Sequence, residues 1–364
     1  MDSLTQAALG AAVCVASMSR GTPAWKAATW GAICGTLPDL DAFIDHGNIV
    51  ANVTLHRGPT HAPFWQTLSA VPIGVVVASL AGERARWARW CAAVWLVLVT
   101  HALLDAMTVY GTRLALPFDD RPFGVGSVFI IDPAYTVPLL VGLVAALAMR
   151  DGRGRRWNTA ALAVSTLYLA FSVAAQQHVR EIVEASLQAR GGAPPPASRI
   201  LVTPTPFNTL LWRVVVMHDD HFEEGFRSLL DDEPAIRFVR HARDPALYRS
   251  IADLDTTRRL TQFTRGFFRV ARRDDFVVMT DLRMGQHPYY SFSFALARIG
   301  NPELLPIEPR NIGGRGGLDM SQYLRWLLRR ALGHDLPPPT AGASQRHVVA
   351  LDRAVRAEAL RTAR

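Results

Sequence analysis

A chain of 364 residues has room for two units, and its charge is divided accordingly: the first half is rich in Ala, Val, Leu and Trp, while most charged residues fall in the second. The net charge of +8 is almost wholly arginine, Lys26 being the sole lysine, and these arginines lie in short loops or scattered rather than on one basic face, which argues against nucleic-acid binding. Cys14, Cys34 and Cys91 each sit inside an apolar stretch with no CxxC or Cys/His spacing, which argues against a disulfide framework and a zinc finger.

The N-terminal stretch MDSLTQAALGAAVCVASMSR carries an acid at position 2 and no basic n-region, so no cleaved signal is expected. Six apolar segments follow in order, roughly 4–18, 24–37, 64–82, 90–110, 129–149 and 157–176. The last four reach the ~20 residues that cross a bilayer core. The first two are shorter and rich in Gly and Ala, which suits close-packed interior helices. The expected fold is therefore an α-helical polytopic membrane bundle over 1–176, with about four full spans and two short helices. The loops 19–26, 83–89 and 150–156 are all basic, and the positive-inside rule places them in the cytoplasm. The loops of opposite parity, 38–63 and 111–128, and everything after 176 are then extracytoplasmic.

Beyond residue 176, Val179, Ile182, Val183 and Leu187 keep helical spacing, so a helical extension is expected over 177–190. GGAPPPAS (191–198) breaks it. The runs 210–217, 267–271, 275–282 and 289–297 are β-branched and aromatic and predict a small antiparallel sheet in an α+β domain over 191–335. MHDDHFEEGFRSLLDDE (217–233), with His218 and His221, reads as a solvated acidic loop. TRRLTQFTRGFF (257–268) is basic and aromatic, as a segment facing lipid headgroups would be. Residues 336–364 read as a linker and a basic tail.

On this topology the acids and histidines gather at one leaflet. Asp39 and Asp41 emerge from the second segment in GTLPDLDAF, and His56 and His61 follow in HRGPTH. His101 and Asp105, four apart in VTHALLDAMTVYGT, share one helix face. Ionisable groups at membrane depth are costly and usually mark function. Two imidazoles and two carboxylates suffice for a zinc ion, and the whole set can hold two metals. Asp39, Asp41, His56, His61, His101 and Asp105 are thus the candidate ligands. The cofactor is a divalent metal, zinc favoured by histidine and manganese or magnesium compatible with the mixed N/O set. Asp2 and Asp132 read first as helix N-caps, with Asp132 also a candidate general base. Arg57 is a candidate anion-binding fork. No phosphate loop, dinucleotide fingerprint or Ser-His-Asp pattern appears, so no nucleotide cofactor is expected.

At these residues the chain resembles a known family. MDSLTQAALGAAV, GTLPDLD, HRGPTH, HALLDAMTVYGT and IIDPAYTVPLL are similar, in order over residues 1–141, to the bacterial inner-membrane metal-dependent hydrolases of the YdjM-like, LexA-regulated family. TPTPFNTLLWRVV and TDLRMG resemble its longer members. The resemblance implies an integral inner-membrane protein with a metal site and hydrolase activity. One departure is Ala62, where many members carry a serine after the second histidine. The leading expectation is a metal-dependent hydrolase acting at the outer leaflet on a lipid or other amphiphilic ester or phosphoester. The alternatives are a non-catalytic, metal-stapled envelope protein that binds a partner, and an ion or proton translocator.

Overall fold

The computed structural model describes residues 1–149, 152–191, 195–233, 235–300, 303–314, 316 and 318–339. The expected tail over 345–364 lies outside the described residues. The N-terminal half is helical: α1 (Ser3–Ser17), α2 (Ala24–Thr36), α3 (Ile49–Leu55), α4 (Pro63–Leu80), α5 (Trp87–Ala106), α6 (Pro133–Ala148) and α7 (Arg153–Ala189). Short 3-10 turns at Pro38–Phe43 and Pro59–His61 carry the acids and histidines of the loop between α2 and α4.

Three helical stretches, Pro63–Leu80, Arg84–Ala106 and Arg153–Ala189, are long and apolar enough to cross a membrane. Outward-facing Leu68, Val71 and Val76 on α4, and Val164 and Leu167 on α7, give these helices apolar exposed faces of the kind lipid solvates. The fourth full span expected over 129–149 is instead α6, a helix of only 16 residues. Its start is fixed by chemistry: the Asp132 carboxylate accepts from the amides of Ala134 and Tyr135, and Pro133 occupies the first helical position.

α1 and α2 form the inner hairpin. Their backbones meet at Gly10, Gly31 and Gly35; a Cβ on Gly35 would lie 2.7 Å from the Gln6 carbonyl oxygen and 3.1 Å from Gly10 Cα. Only glycine permits that approach. At one end of the bundle the three basic loops converge. Lys26 donates to the Ala81 carbonyl (2.8 Å) and Arg86 to that of Gly21 (3.0 Å), while Arg155 reaches Val15 (2.6 Å) and Met18 (3.1 Å).

α7 runs unbroken for 37 residues and carries the chain into a β-sheet domain. Strands β1 (Ile200–Pro204), β2 (Leu211–Met217), β3 (His221–Ser228) and β4 (Phe238–Ala242) form one antiparallel sheet in that order. β5 (Phe268–Arg273), β6 (Phe276–Asp281), β9 (Ser293–Ile299) and β10 (Leu304–Asn311) form a second, ordered β10-β9-β6-β5. β7 (Gly285–Gln286) and β8 (Tyr289–Tyr290) make a small ribbon. Helices α8 (Pro245–Ile251), α9 (Asp255–Thr264) and α10 (Met320–Ala331) complete it.

The first sheet packs on Val179, Val183 and Leu187 of α7, and the second on α8, α9 and Val50 of α3. The β-sheet domain is thereby seated on the helical half. The middle of the acidic stretch 217–233 is no solvated loop. Residues His221–Ser228 form β3, whose Glu224 pairs with Arg213 at 2.6 Å in the interior and whose Glu223 accepts both arms of Arg190. Alternation was masked there because both glutamates are buried against arginines.

Candidate metal centre

Four side chains from three separate elements converge at the end of the bundle that meets the β-sheet domain. Asp39 comes from the turn after α2, His61 from the turn before α4, and His101 and Asp105 from the last two turns of α5. His61 Nε2 lies 3.1 Å from His101 Nε2, 3.4 Å from Asp39 Oδ1 and 3.3 Å from Asp105 Oδ2. His101 Nε2 lies 3.5 Å from Asp39 Oδ1 and 3.6 Å from Asp105 Oδ2. His61, His101 and Asp105 are buried, while the Asp39 side chain keeps 20% exposure and marks the open side.

The protons in this cluster are accounted for from the outside inwards. His101 Nδ1 faces the Gly35 carbonyl oxygen at 2.7 Å; a carbonyl only accepts, so Nδ1 carries the hydrogen. Thr60 gives its one hydroxyl proton to Asp41 Oδ2 (2.8 Å), so its oxygen accepts from His61 Nδ1 at 2.9 Å. Both Nε2 atoms are then bare, facing each other and two carboxylate oxygens. Asp105 Oδ2 is buried and accepts no hydrogen bond, its ion-pair partner on the far side being Arg57 Nε at 3.1 Å. Four acceptors converging with no hydrogen between them are stable only around positive charge.

A second proton on His61 meets part of that demand. Burial alone would lower its pKa, but Asp105, Asp39 and Asp41 hold the imidazole at about 10. Burial likewise opposes the charge on Asp39 and Asp41, yet the facing imidazoles keep both carboxyls below the usual range. A divalent ion meets the demand fully. Ligands at ~2.0–2.1 Å in a tetrahedron stand about 3.3–3.4 Å apart, and the five separations here run from 3.1 to 3.6 Å. Asp105 also faces two positive groups, the Arg57 guanidinium at 3.1 Å and the Met1 α-amino group. The buried His/Asp cluster can hold a metal ion.

Asp41 and His56 stand one step outside. Asp41 Oδ1 pairs with His56 Nδ1 at 2.6 Å, and Asp41 Oδ2 accepts from the Arg57 amide (3.0 Å) and lies 3.5 Å from His61 Nδ1. Arg57 adopts a left-handed backbone (φ 61°), which turns the chain so that His56 and His61 face different partners. The Arg57 side chain is buried, with Nε 3.1 Å from Asp105 Oδ2, a hydrogen bond to Thr108 Oγ1 (2.9 Å) and the Tyr110 ring 4.8 Å away. It is fixed beside the cluster as a counter-charge rather than extended as a free fork.

Asp132, expected as a candidate base, lies elsewhere. One oxygen caps α6 and the other accepts from Tyr168 at 2.7 Å, so both oxygens are already hydrogen-bonded. Asp2 caps α1 through Thr5. Sequence reasoning missed Gln6 and Thr60. Gln6 Nε2 donates to Asp105 Oδ1 (3.0 Å) and to the His101 carbonyl (3.3 Å). The signal was available, because a polar amide in an otherwise apolar helix requires a buried partner.

Among the described residues a second group, His218, His221 and Glu223, also has ligand-type atoms close together. There both Glu223 oxygens are already taken by Arg190. Comparison with known proteins returned no match among curated proteins and none among solved structures. A family model does match, over residues 1–179, a stretch that holds all of α1 to α6, the whole cluster and the first part of α7. That model is of the YdjM inner membrane protein family, to which the first 179 residues of this chain are similar.

Proposed function

We propose that the protein is a membrane-embedded, metal-dependent hydrolase acting on an amphiphilic ester or phosphoester. The observation that carries this reading is the pair of imidazole Nε2 atoms, 3.1 Å apart, each ring held by its Nδ1 on the far side and facing two carboxylates. Asp39, His61, His101 and Asp105 would hold the ion, and zinc suits two imidazoles with two carboxylates best. When bound, such an ion supplies a Lewis acid that polarises an ester or phosphoryl oxygen and lowers the pKa of water.

The chain's own contribution is positioning and proton handling. Asp41 takes the Nδ1 hydrogen of His56, which leaves Nε2 of this partly exposed ring free to accept a proton. His56 therefore suits the general-base role better than Asp132. Arg57 sits on the other flank and holds positive charge against Asp105. Leu40, Phe43 and Ile44, all exposed, flank Asp39 and Asp41 and give the open side an apolar rim suited to an acyl or prenyl chain. The convergence of basic loops at the opposite end supports an inner-membrane, multi-pass topology with the cluster and β-sheet domain extracytoplasmic.

A metal-stapled scaffold is the second reading, favoured by the closed set of four side-chain ligands, which structural sites share. Purified protein in detergent decides. Metal analysis should give one divalent ion per chain in the wild type and a loss of at least tenfold in occupancy for His61→Ala with His101→Ala. Lipid-extract turnover should stop with chelator and return with zinc. Equal metal content in both proteins would overturn the centre; full metal with no turnover of any ester would leave the scaffold.

A further inference from the structure

Beside the cluster lies a cleft of 740 Å³ where the loop 111–123 meets the end of α3 and the face of α9. It is lined by Arg113, Arg121, Arg259 and Arg265, with Asp120 the one carboxylate among its lining residues. Arg121 is already neutralised by a two-armed pair with Asp119 (2.6 and 2.8 Å). Among the described residues no carboxylate forms an ion pair with the other three. Arg113 and Arg265 are held instead by carbonyls, those of Thr54 (2.9 Å) and Gly124 (3.0 Å). Arg265 passes between two glycines: a Cβ on Gly111 would stand 3.1 Å from its guanidinium, and one on Gly124 only 2.6 Å.

Like charges outnumbering their counter-ions cost folding energy. Here Arg113 and Arg265 are fixed by backbone oxygens that leave their charge intact, with Asp120 the one lining carboxylate beside three guanidinium groups unpaired among the described residues. Burial lowers the Arg113 pKa, and Arg259 acts in the same direction against the opposing pull of Asp120. Guanidinium forks match the tetrahedral array of phosphate oxygens better than any other common anion. The volume suits a headgroup rather than a whole lipid. Phe123 lines the cleft, while Phe64 and Phe118, in edge contact at 5.5 Å, and Trp65 stand exposed where α4 begins. The cleft adjoins the cluster through the chain itself: Leu55 lines it and His56 follows, and the Arg113 amide donates to the Arg57 carbonyl at 3.1 Å.

We propose that Arg113, Arg259 and Arg265 form the subsite for the phosphate of a phosphate-bearing amphiphile, presented to the neighbouring His/Asp cluster. The assignment of that amphiphile as substrate rests on the hydrolase reading; the subsite itself does not. The test uses full-length, zinc-loaded protein in detergent and measures binding calorimetrically to dioctanoyl phosphatidate, glycerol 3-phosphate, inorganic phosphate and dioctanoylglycerol. Dioctanoyl phosphatidate should bind tightest and dioctanoylglycerol at least tenfold more weakly. Arg259→Gln, at an exposed side chain that holds no other element in place, should weaken phosphatidate binding about tenfold, and Arg259→Gln with Arg113→Gln about a hundredfold, with zinc content unchanged. Wild-type affinity in both variants overturns the subsite. Equal affinity for glycerol 3-phosphate keeps the phosphate site and overturns the amphiphile. Arginine-dependent binding with no turnover sinks the hydrolase reading while supporting the subsite. Full-rate turnover of phosphatidate in the double variant does the reverse.

Discussion

Asp41 accepts from His56 Nδ1, the Arg57 amide and the Thr60 hydroxyl, and through Thr60 it sets which nitrogen of His61 carries a hydrogen. An outer partner of this kind fixes tautomer and ring orientation, and removing one typically costs 10–100-fold in metal affinity. Asp41→Asn keeps the size but replaces an acceptor oxygen with a donor, so zinc affinity measured by competition with a chelating dye should fall by about 10–100-fold. Asp132→Asn is the matched control. Its oxygens serve the α6 cap and Tyr168, and asparagine caps a helix nearly as well as aspartate. That variant should bind zinc as the wild type does. Indistinguishable affinities for wild type and Asp41→Asn would show that Asp41 does not orient His61, and a loss confined to Asp132→Asn would reverse the two roles. Arg57 illustrates why sequence could not make this division. HRGPTH reads as one loop with two equivalent histidines, and only the left-handed turn at Arg57 sends one ring into the cluster and the other to its edge.

At the level of elements, the α1–α2 hairpin holds the centre together from behind. Gly35, in the last turn of α2, has its carbonyl on His101 Nδ1, and Gln6 of α1 bonds Asp105 and the His101 carbonyl. Both contacts require the close backbone approach at Gly10, Gly31 and Gly35. Gly35→Ala would put a methyl 2.7 Å from the Gln6 carbonyl, and the helices must part to admit it. Overpacking of this sort costs about 1–3 kcal/mol. The variant should melt earlier in detergent and also lose zinc affinity, since the same displacement moves the Gly35 carbonyl away from His101. Unchanged melting and unchanged affinity would show that the hairpin tolerates the methyl. The pairing of His101 with Asp105 was legible because helical spacing alone puts them on one face, as was the apolar length of α4 and α5. The short α6 was not, because hydropathy continues through 129–131 while the Asp132 cap decides where helix begins. β3 was hidden for a similar reason: Glu223 and Glu224 look solvated until Arg190 and Arg213 are placed against them.

Across the whole molecule, polarity and charge are sorted along one axis. Lys26, Arg86 and Arg155 tie the three basic loops together at one end; the His/Asp cluster, the arginine cleft and the two sheets occupy the other. Arg283 locks that second end. It pairs with Asp281 (2.7 Å), donates to the Val109 and Tyr110 carbonyls (3.3 and 3.2 Å) and lies over the Phe263 ring at 4.4 Å, so the sheet domain and the loop after α5 share one buried guanidinium. Cys14, Cys34 and Cys91 are all buried, which leaves a quiet background for single introduced thiols. In intact cells with a permeabilised outer envelope, a membrane-impermeant thiol reagent should label Asp219→Cys, on the sheet domain, and leave Arg84→Cys unlabelled until the inner membrane is disrupted. The charge asymmetry predicts this orientation because basic loops are retained on the cytoplasmic side during insertion. Labelling of Arg84→Cys alone in intact cells would invert the topology and put the centre on the cytoplasmic leaflet. Labelling of both would mean that the helices between them do not separate the two ends by a bilayer. That outcome would remove the membrane-depth argument for the buried His101–Asp105 pair while leaving its geometry as it stands.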